Sequence, residues 1–313
     1  MENSTDKEFY SKTIQVLLCT DRSSGKHWIF LSALNSLLSI TAFLGNTLIL
    51  VALYKETSLR PPSKLLYRCL AITDLLVGLI SEPSTALNLA FLATEHRLTD
   101  LCFYSAALST VSLTILSAVS LLTLTAISVD RLLALNLGLR YRQVVTSRRL
   151  RAIVILYWIP SITFALMSFW NFAIAKSYNY TIILLCILVL TFSYSKIFLT
   201  LRHHHTQIHQ HQGQPEGGEA PLNIARYRKT VTTAIWVLVA LLACFLPYCI
   251  VLVIFTSHGS SPLLDIIWEL TVTLVYLNAS LNPILYCWRM RHIKQQVKNT
   301  VRRILCLPNV ATF

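Results

Sequence analysis

Seven separate runs of about 20 or more mostly apolar residues constrain this chain more than any other feature. A run of that length is what a helix needs to cross the ~30 Å hydrocarbon core of a bilayer. The runs lie at residues 28–54, 65–92, 101–134, 150–171, 179–201, 230–256 and 263–288. In hydrocarbon the backbone polar groups must be satisfied inside the segment, so each run is expected to be a helix. Composition agrees, because 54% of the 313 residues are hydrophobic and only 13% are charged, outside the range of ordinary water-soluble domains. The expected fold class is therefore an all-α membrane protein, a seven-transmembrane helix bundle. Residues 1–27 form the expected extracellular tail and 28–288 the bundle, with a third inner loop at about 202–229. Residues 289–313 supply a short amphipathic inner-leaflet helix and a cytoplasmic tail. "MENSTDKEFY" carries charges and no apolar centre, so no cleavable signal is expected and the first run serves as the insertion signal.

Basic residues set the expected orientation, since cytoplasmic loops carry an excess of Lys and Arg. With the N-terminus outside, the inner side receives most of the 27 Lys and Arg, including Arg131, Arg140, Arg142, Arg148, Arg149 and Arg151 together with Arg289, Arg291, Lys294 and Lys298. The expected localisation is the plasma membrane, multi-pass, with the N-terminus extracellular and the C-terminus cytoplasmic. The net charge of +13 then reads as topology plus attraction to anionic lipid, and no nucleic-acid partner is expected. Two glycosylation sequons, at Asn3 and Asn179, fall in expected outer segments, whereas a third at Asn278 lies mid-membrane and is set aside.

The one low-complexity segment, residues 202–221, is rich in His, Gln and Gly. It is read as a flexible inner loop rather than a metal site, because it has neither fixed ligand spacing nor a Cys partner. No His lies deep in a run, which removes the usual general base for intramembrane hydrolysis; the chain is not expected to be an enzyme. After the last run, Ile293, Val297, Val301 and Ile304 recur at spacings of three and four among basic residues, the pattern of a helix lying on a leaflet. Cys306 at its end is a candidate for palmitoylation, the alternative being an unmodified thiol.

Polar groups inside membrane spans cost roughly 2–4 kcal/mol each on insertion scales and need a partner or a role. Here they are Asn46, Asp74, Ser120, Asn278 and Asn282. One reading has them converge on a hydrated cluster around Asp74 that holds a sodium ion or a proton. The other has each one bonding a neighbouring helix. Pro247 and Pro283 each remove a backbone hydrogen bond and invite a kink, which makes their helices candidates for movement. An Asp-Arg pair, Asp130 and Arg131, ends the third run in "AISVDRLLAL".

These features together resemble a rhodopsin-like (class A) G-protein-coupled receptor. The resemblance rests on Gly45-Asn46, "LAITD" ending at Asp74, Asp130-Arg131, Trp158, "CFLP" around Pro247, "NPILY" from Asn282 to Tyr286, and Tyr194 in "FSYSKIF". It implies a resting state in which Asp130 holds Arg131, and an active state in which Arg131 turns toward Tyr194 and Tyr286 and opens a cleft for a heterotrimeric G protein. Phe245, Pro247, Asn282 and Pro283 would complete the switch. "LGLRYRQVVTSRR" resembles the second inner loop of adenosine and melanocortin receptors, which implies G-protein contacts from Arg131, Leu139, Arg140 and Arg142.

Several positions depart from the family pattern. Leu132 replaces the usual Tyr, Phe245 the usual Trp, and Tyr227 an acid that often adds a second clasp on the arginine; appreciable basal signalling is the expected consequence. The connection between the fourth and fifth runs, about "NFAIAKSYN", is short and lacks the family's cysteine, and Cys186 stands in place of the fifth-span proline, as in melanocortin receptors. Cys19 and Cys102 are the two cysteines near the outside, so they form either a disulfide or two free thiols.

For the ligand, resemblance mostly excludes. Residues 263–288 contain no Lys for a retinal Schiff base, Leu113 stands where amine receptors carry an acid, and Leu252 where adenosine receptors carry an Asn. An outer pocket of Glu82, Leu113, Thr114, Tyr248, Trp268, Glu269 and Tyr276 would suit a cationic, amphipathic, peptide or lipophilic ligand. Glu82 lies either below the membrane surface or at a helix end reaching water. No cofactor is expected beyond a sodium ion at Asp74. The competing readings are a transporter or ion-conducting protein, with Asp74 on the ion path, and a decoy receptor that no longer couples.

Overall fold

The structure, a computed structural model, describes residues 25–94, 100–167, 172–211, 220–258 and 261–305. Asn3, Cys19 and Cys306 lie outside the described residues, as do the side chains of Tyr227 and of the histidines at 203–211. The described residues form helices α1 (Lys26–Lys55), α2 (Pro61–Leu76), α3 (Glu82–Ala93), α4 (Asp100–Leu137), α5 (Tyr141–Val144), α6 (Ser147–Met167), α7 (Phe172–His211), α8 (Ala220–His258), α9 (Pro262–Arg289) and α10 (Arg291–Ile304). A π-helical turn, Val77–Ser81, joins α2 and α3 into one span, and a 3₁₀ turn, Gly138–Arg140, leads from α4 into α5.

Seven segments are long and apolar enough to cross a membrane, one for each apolar run, and the chain is a multi-pass membrane protein. Local signals set several ends. Pro61 and Pro62 open α2, where a missing N–H costs nothing. Ser261 caps α9 by accepting from Leu264 N–H at 3.3 Å, with Pro262 at the first helical position.

The spans close into a ring, each packed on the next in chain order and α9 returning to α1, with α4 running through the centre against α2, α3, α6 and α7. Burial differs from that of a water-soluble protein: an apolar core remains, yet large apolar side chains also face outward and polar groups lie inside. Phe30, Leu37, Leu188 and Phe192 are well exposed on the outside of the ring, whereas Asn35, Asn46, Asp74, Glu82 and Asn282 are buried inside it. Lipid solvates the first set, and neighbouring helices must satisfy the second.

Small residues allow the closest approaches. A Cβ on Gly78 would stand 2.7 Å from the Phe43 backbone nitrogen and 2.9 Å from the Ser39 carbonyl oxygen, so glycine lets the π-turn rest on α1. Ser39 Oγ secures the contact by donating to the Gly78 carbonyl at 2.7 Å. A Cβ on Gly45 would come within 3.0 Å of the Pro283 ring, which ties the glycine of α1 to the proline of α9.

Three expectations change. The segment after the fourth run is helical from Phe172 onward, and helix continues from the fifth run through His211 into the expected loop. Backbone hydrogen bonding there follows the i to i+4 ladder of the preceding span, which a polar composition does not by itself interrupt. The sixth helix likewise begins at Ala220, inside the expected loop. Helix α10 rests on the bundle through one end of its apolar spacing: Ile293 is buried, Lys55 Nζ donates to Thr300 Oγ1 at 3.2 Å, and Ile304 is 68% exposed.

Candidate functional site: a polar core and a latch at the basic end

Asp74 sits at the middle of its span, buried, and both carboxylate oxygens are engaged. Ser120 Oγ of α4 donates to Oδ1 at 3.0 Å, and Asn282 Nδ2 of α9 donates to Oδ2 at 2.6 Å. Three spans far apart in sequence thus meet at one carboxylate. Beside it lies a cavity of about 10 Å³ lined by Asp74, Leu113, Ser117, Ser120, Phe245, Tyr276 and Asn278 among others, which is room for about one water or one small cation. Asn46 takes the other role considered for it. Its Nδ2 donates to the Ala42 carbonyl at 2.8 Å and the Ala279 carbonyl at 3.1 Å, stitching α1 to α9.

At the basic end, Asp130 is buried and held from three sides. Ser63 Oγ donates to Oδ2 at 3.0 Å, the Tyr141 hydroxyl donates to Oδ1, and Arg131 Nη2 lies 3.3 Å from Oδ2. Arg131, about a third exposed, also sits over the Tyr67 ring at 5.8 Å, and Tyr67 meets Tyr286 edge-on at 5.4 Å. Tyr194 is buried on α7 in the same apolar cluster. Leu139, 96% exposed at the 3₁₀ turn, projects beside exposed Arg140 and Arg142; Gly138 makes the turn with φ of 50°, in the left-handed region that glycine tolerates.

Ser63, Tyr67 and Tyr141 were not legible as site residues. Their signal was available only in part: a Tyr ten residues beyond Arg131 in an otherwise basic loop is an amphipathic group with a hydroxyl to place. Arg60, 5.1 Å above the Tyr141 ring, holds that ring from the other side.

The opposite end departs further from expectation. Tyr248 packs on Trp268 at 5.2 Å, Phe255 on Trp268 at 5.4 Å, and the Tyr276 hydroxyl bonds Thr85 Oγ1 at 2.8 Å. Thr114 returns its hydroxyl to the Thr110 carbonyl of its own helix. Leu113 lines the deep cavity beside Asp74 rather than an outer mouth. Glu269 is buried near Tyr276 and Tyr248. Glu82 does not reach water, being 0% exposed, so Asp74 is not the lone acid of the interior. Asn179 is 8% exposed, beside Tyr248, and a glycan there would require the side chain to turn outward. It is an interior polar residue rather than an accessible acceptor. Cys102 is buried and disulfide-bonded.

The family model described as 7 transmembrane receptor (rhodopsin family) matches residues 45–177 and 167–286. The chain is 25% identical over 311 residues to the adenosine receptor A2a of Canis lupus familiaris, covering 88% of this chain and 72% of the relative. It is 27% identical over 299 residues to the adenosine receptor A3 of Bos taurus, covering 87% and 90%. The match runs through the spans that carry Asp74, Asp130, Arg131, Asn282 and Tyr286, and the chain belongs to the rhodopsin family of seven-transmembrane receptors.

Proposed function

We propose that this receptor binds an extracellular ligand at the end opposite the basic loops and catalyses nucleotide exchange on a heterotrimeric G protein at the basic end. The observation that carries the proposal is the clamp on Asp130. A buried carboxylate gathers Arg131, Ser63 and Tyr141 at the mouth of the bundle, where charge-assisted bonds can be exchanged for a partner's at modest cost. A transporter has no need of an arginine poised there between a carboxylate and a tyrosine pair. Release of Arg131 toward Tyr286 and Tyr194 would free the space between α4, α8 and α9, and Leu139 with Arg140 and Arg142 would meet the G protein beside it.

In this reading the basic end is cytoplasmic and the membrane is the plasma membrane. Among the described residues, five cysteines are free thiols. Cys19, expected on the same side as Cys102, is its proposed disulfide partner, and Asn3 the proposed glycan acceptor. The Asp74 cavity fits a small monovalent cation: Asp74 supplies the charge, Ser120 and Ser117 supply neutral oxygens, and Asn278 lines the wall. A sodium ion there would stabilise the packed interior by compensating a charge taken out of water. Adenosine is not the proposed ligand, because Leu252 is buried at the position where adenosine receptors place an Asn.

The test is nucleotide exchange on a panel of purified G proteins by the full-length receptor in lipid nanodiscs without ligand, beside Arg131→Ala. Exchange above the variant is expected, since Phe245 and Leu132 alter the switch. Equal exchange in both proteins, on every G protein, would count against coupling.

A further inference from the structure

Glu82 is the least explained charge-bearing group in the molecule. It is 0% exposed, and neither carboxylate oxygen meets a hydrogen-bond donor among the described residues. Its position is a product of the π-turn. Along an unbroken α-helix, residue 82 would point about 80° away from residue 74, eight steps of ~100° overshooting two turns. Widening one turn to i to i+5 absorbs one extra residue and takes back about 100°, which leaves Glu82 within about 20° of the direction of Asp74. The turn is visible in the bond from Glu82 N–H to the Val77 carbonyl. Pro83 follows at once and offers no N–H to restore the α ladder. The distortion therefore swings a carboxyl group into the bundle, about 11 Å along the axis from Asp74.

An ionised carboxylate in that place would lack both water and donors, a cost of several kcal/mol. Among the described residues, the titratable groups whose charge reaches it are Asp74 on its own span and Tyr276 from α9. Asp74 adds a like charge, and the Tyr276 hydroxyl is already shared with Thr85. Neither offers the positive charge that would hold an anion.

We propose that Glu82 is a proton-binding site whose proton stabilises the latched bundle, making the proton itself a ligand of this receptor. The packing around Glu82 accepts the neutral acid. Ionisation favours any arrangement that lets water or a cation reach the carboxylate, and for that α3 must loosen from α1 and α4, which pack on it, or from Tyr276 of α9, which Thr85 holds. The same structure holds Asp130 and Arg131 latched, so removing the proton draws population away from the latched state. The link to signalling rests on the receptor reading above; the proton site itself does not.

The sign follows from linkage. A group that binds its proton more tightly in the folded, latched state than elsewhere contributes stability that falls as pH rises. One proton changes the equilibrium by at most about tenfold per pH unit. In full-length protein in nanodiscs between about pH 5 and pH 9, the thermal midpoint of wild type should fall with rising pH, and that of Glu82→Gln should fall less. Basal exchange, taken relative to Arg131→Ala at each pH, should rise by up to tenfold per unit in wild type and stay flat in Glu82→Gln. Glu82→Leu, neutral and of similar size, provides a second chain if the amide folds poorly. Identical pH profiles of thermal midpoint in wild type and both variants would overturn the proposal. So would a profile flattened by Asp74→Asn and untouched at Glu82. A midpoint difference with no exchange at any pH would uphold the proton site while the receptor reading failed.

Discussion

Replacing Tyr141 by Phe removes one hydroxyl from the clamp on Asp130 and leaves the ring that packs beneath Arg60. Both partners are buried, Tyr141 at 2% and Asp130 at 4% exposure, so solvent is poorly placed to replace the bond. Hydrogen bonds to a charged group are worth about 1.5–3 kcal/mol net. Asp130 keeps Ser63 and Arg131, which puts the loss toward the lower half, about 1.5–2 kcal/mol, or roughly 10–30-fold in the ratio of latched to open receptor. If that ratio begins at about 100 to 1, basal exchange rises by nearly the whole factor; if it begins at about 10 to 1, the rise is limited to about 5–8-fold. The assay is ligand-free nucleotide exchange, with the thermal midpoint followed in parallel. Ser63→Ala should act on the same carboxylate, so the double variant should depart from the sum of the two single effects. Unchanged exchange in Tyr141→Phe with unchanged thermal stability would refute the view that this hydroxyl holds the latch.

Other consequences are equally direct. Gly78→Ala forces a methyl against the α1 backbone and should cost about 1–3 kcal/mol, read as a lowered thermal midpoint; an unshifted midpoint would mean that the π-turn relaxes freely. Sodium titrated against potassium should lower basal exchange in wild type and leave Asp74→Asn unresponsive, whereas an equal response in both would remove the cation from the Asp74 cavity. At the basic end, Ser58 N–H and Oγ both donate to Glu56, and with His292 and Lys64 they hold its carboxyl below the ordinary 4.5. The stability that Glu56 contributes is present above that value and is lost as pH falls through the lowered one. Glu56→Gln should therefore flatten the acid limb of the thermal stability profile, and identical acid limbs would show that the carboxylate is not linked to folding. Reduction of the purified protein, or Cys102→Ser, should loosen the end opposite the latch and lower the midpoint without changing exchange by the ligand-free receptor.

Much of the architecture was readable because its causes are local. Span length and apolarity act within one segment, so each of the seven runs predicted its own helix, and spacings of three and four in α10 marked the face that Ile293 and Val297 bury. Asp74, Asn282 and the Asp130-Arg131 pair were identifiable because a polar group in an apolar run needs a reason to be there, and Tyr286 because "NPILY" resembles a family motif. Their partners were another matter. Ser63 and Tyr141 meet Asp130 from 67 residues upstream and 11 downstream, and a hydroxyl gives no sign in sequence of which carboxylate it will find. Helix ends at α7 and α8 also ran past their apolar runs, because backbone hydrogen bonding carries a helix beyond the membrane boundary that hydropathy detects.

The sequence by itself determined the number of spans, their class and the residues that have to be satisfied inside them, since transfer into hydrocarbon is a property of each segment alone. Only the tertiary structure decided which way Glu82 faces. That orientation depends on one additional residue held in a π-turn, and the turn depends on the closeness of α1 to Gly78 and on the missing N–H of Pro83. A rotation of about 100° per residue makes burial of a charge hinge on a single step of register, and register is settled by packing between helices.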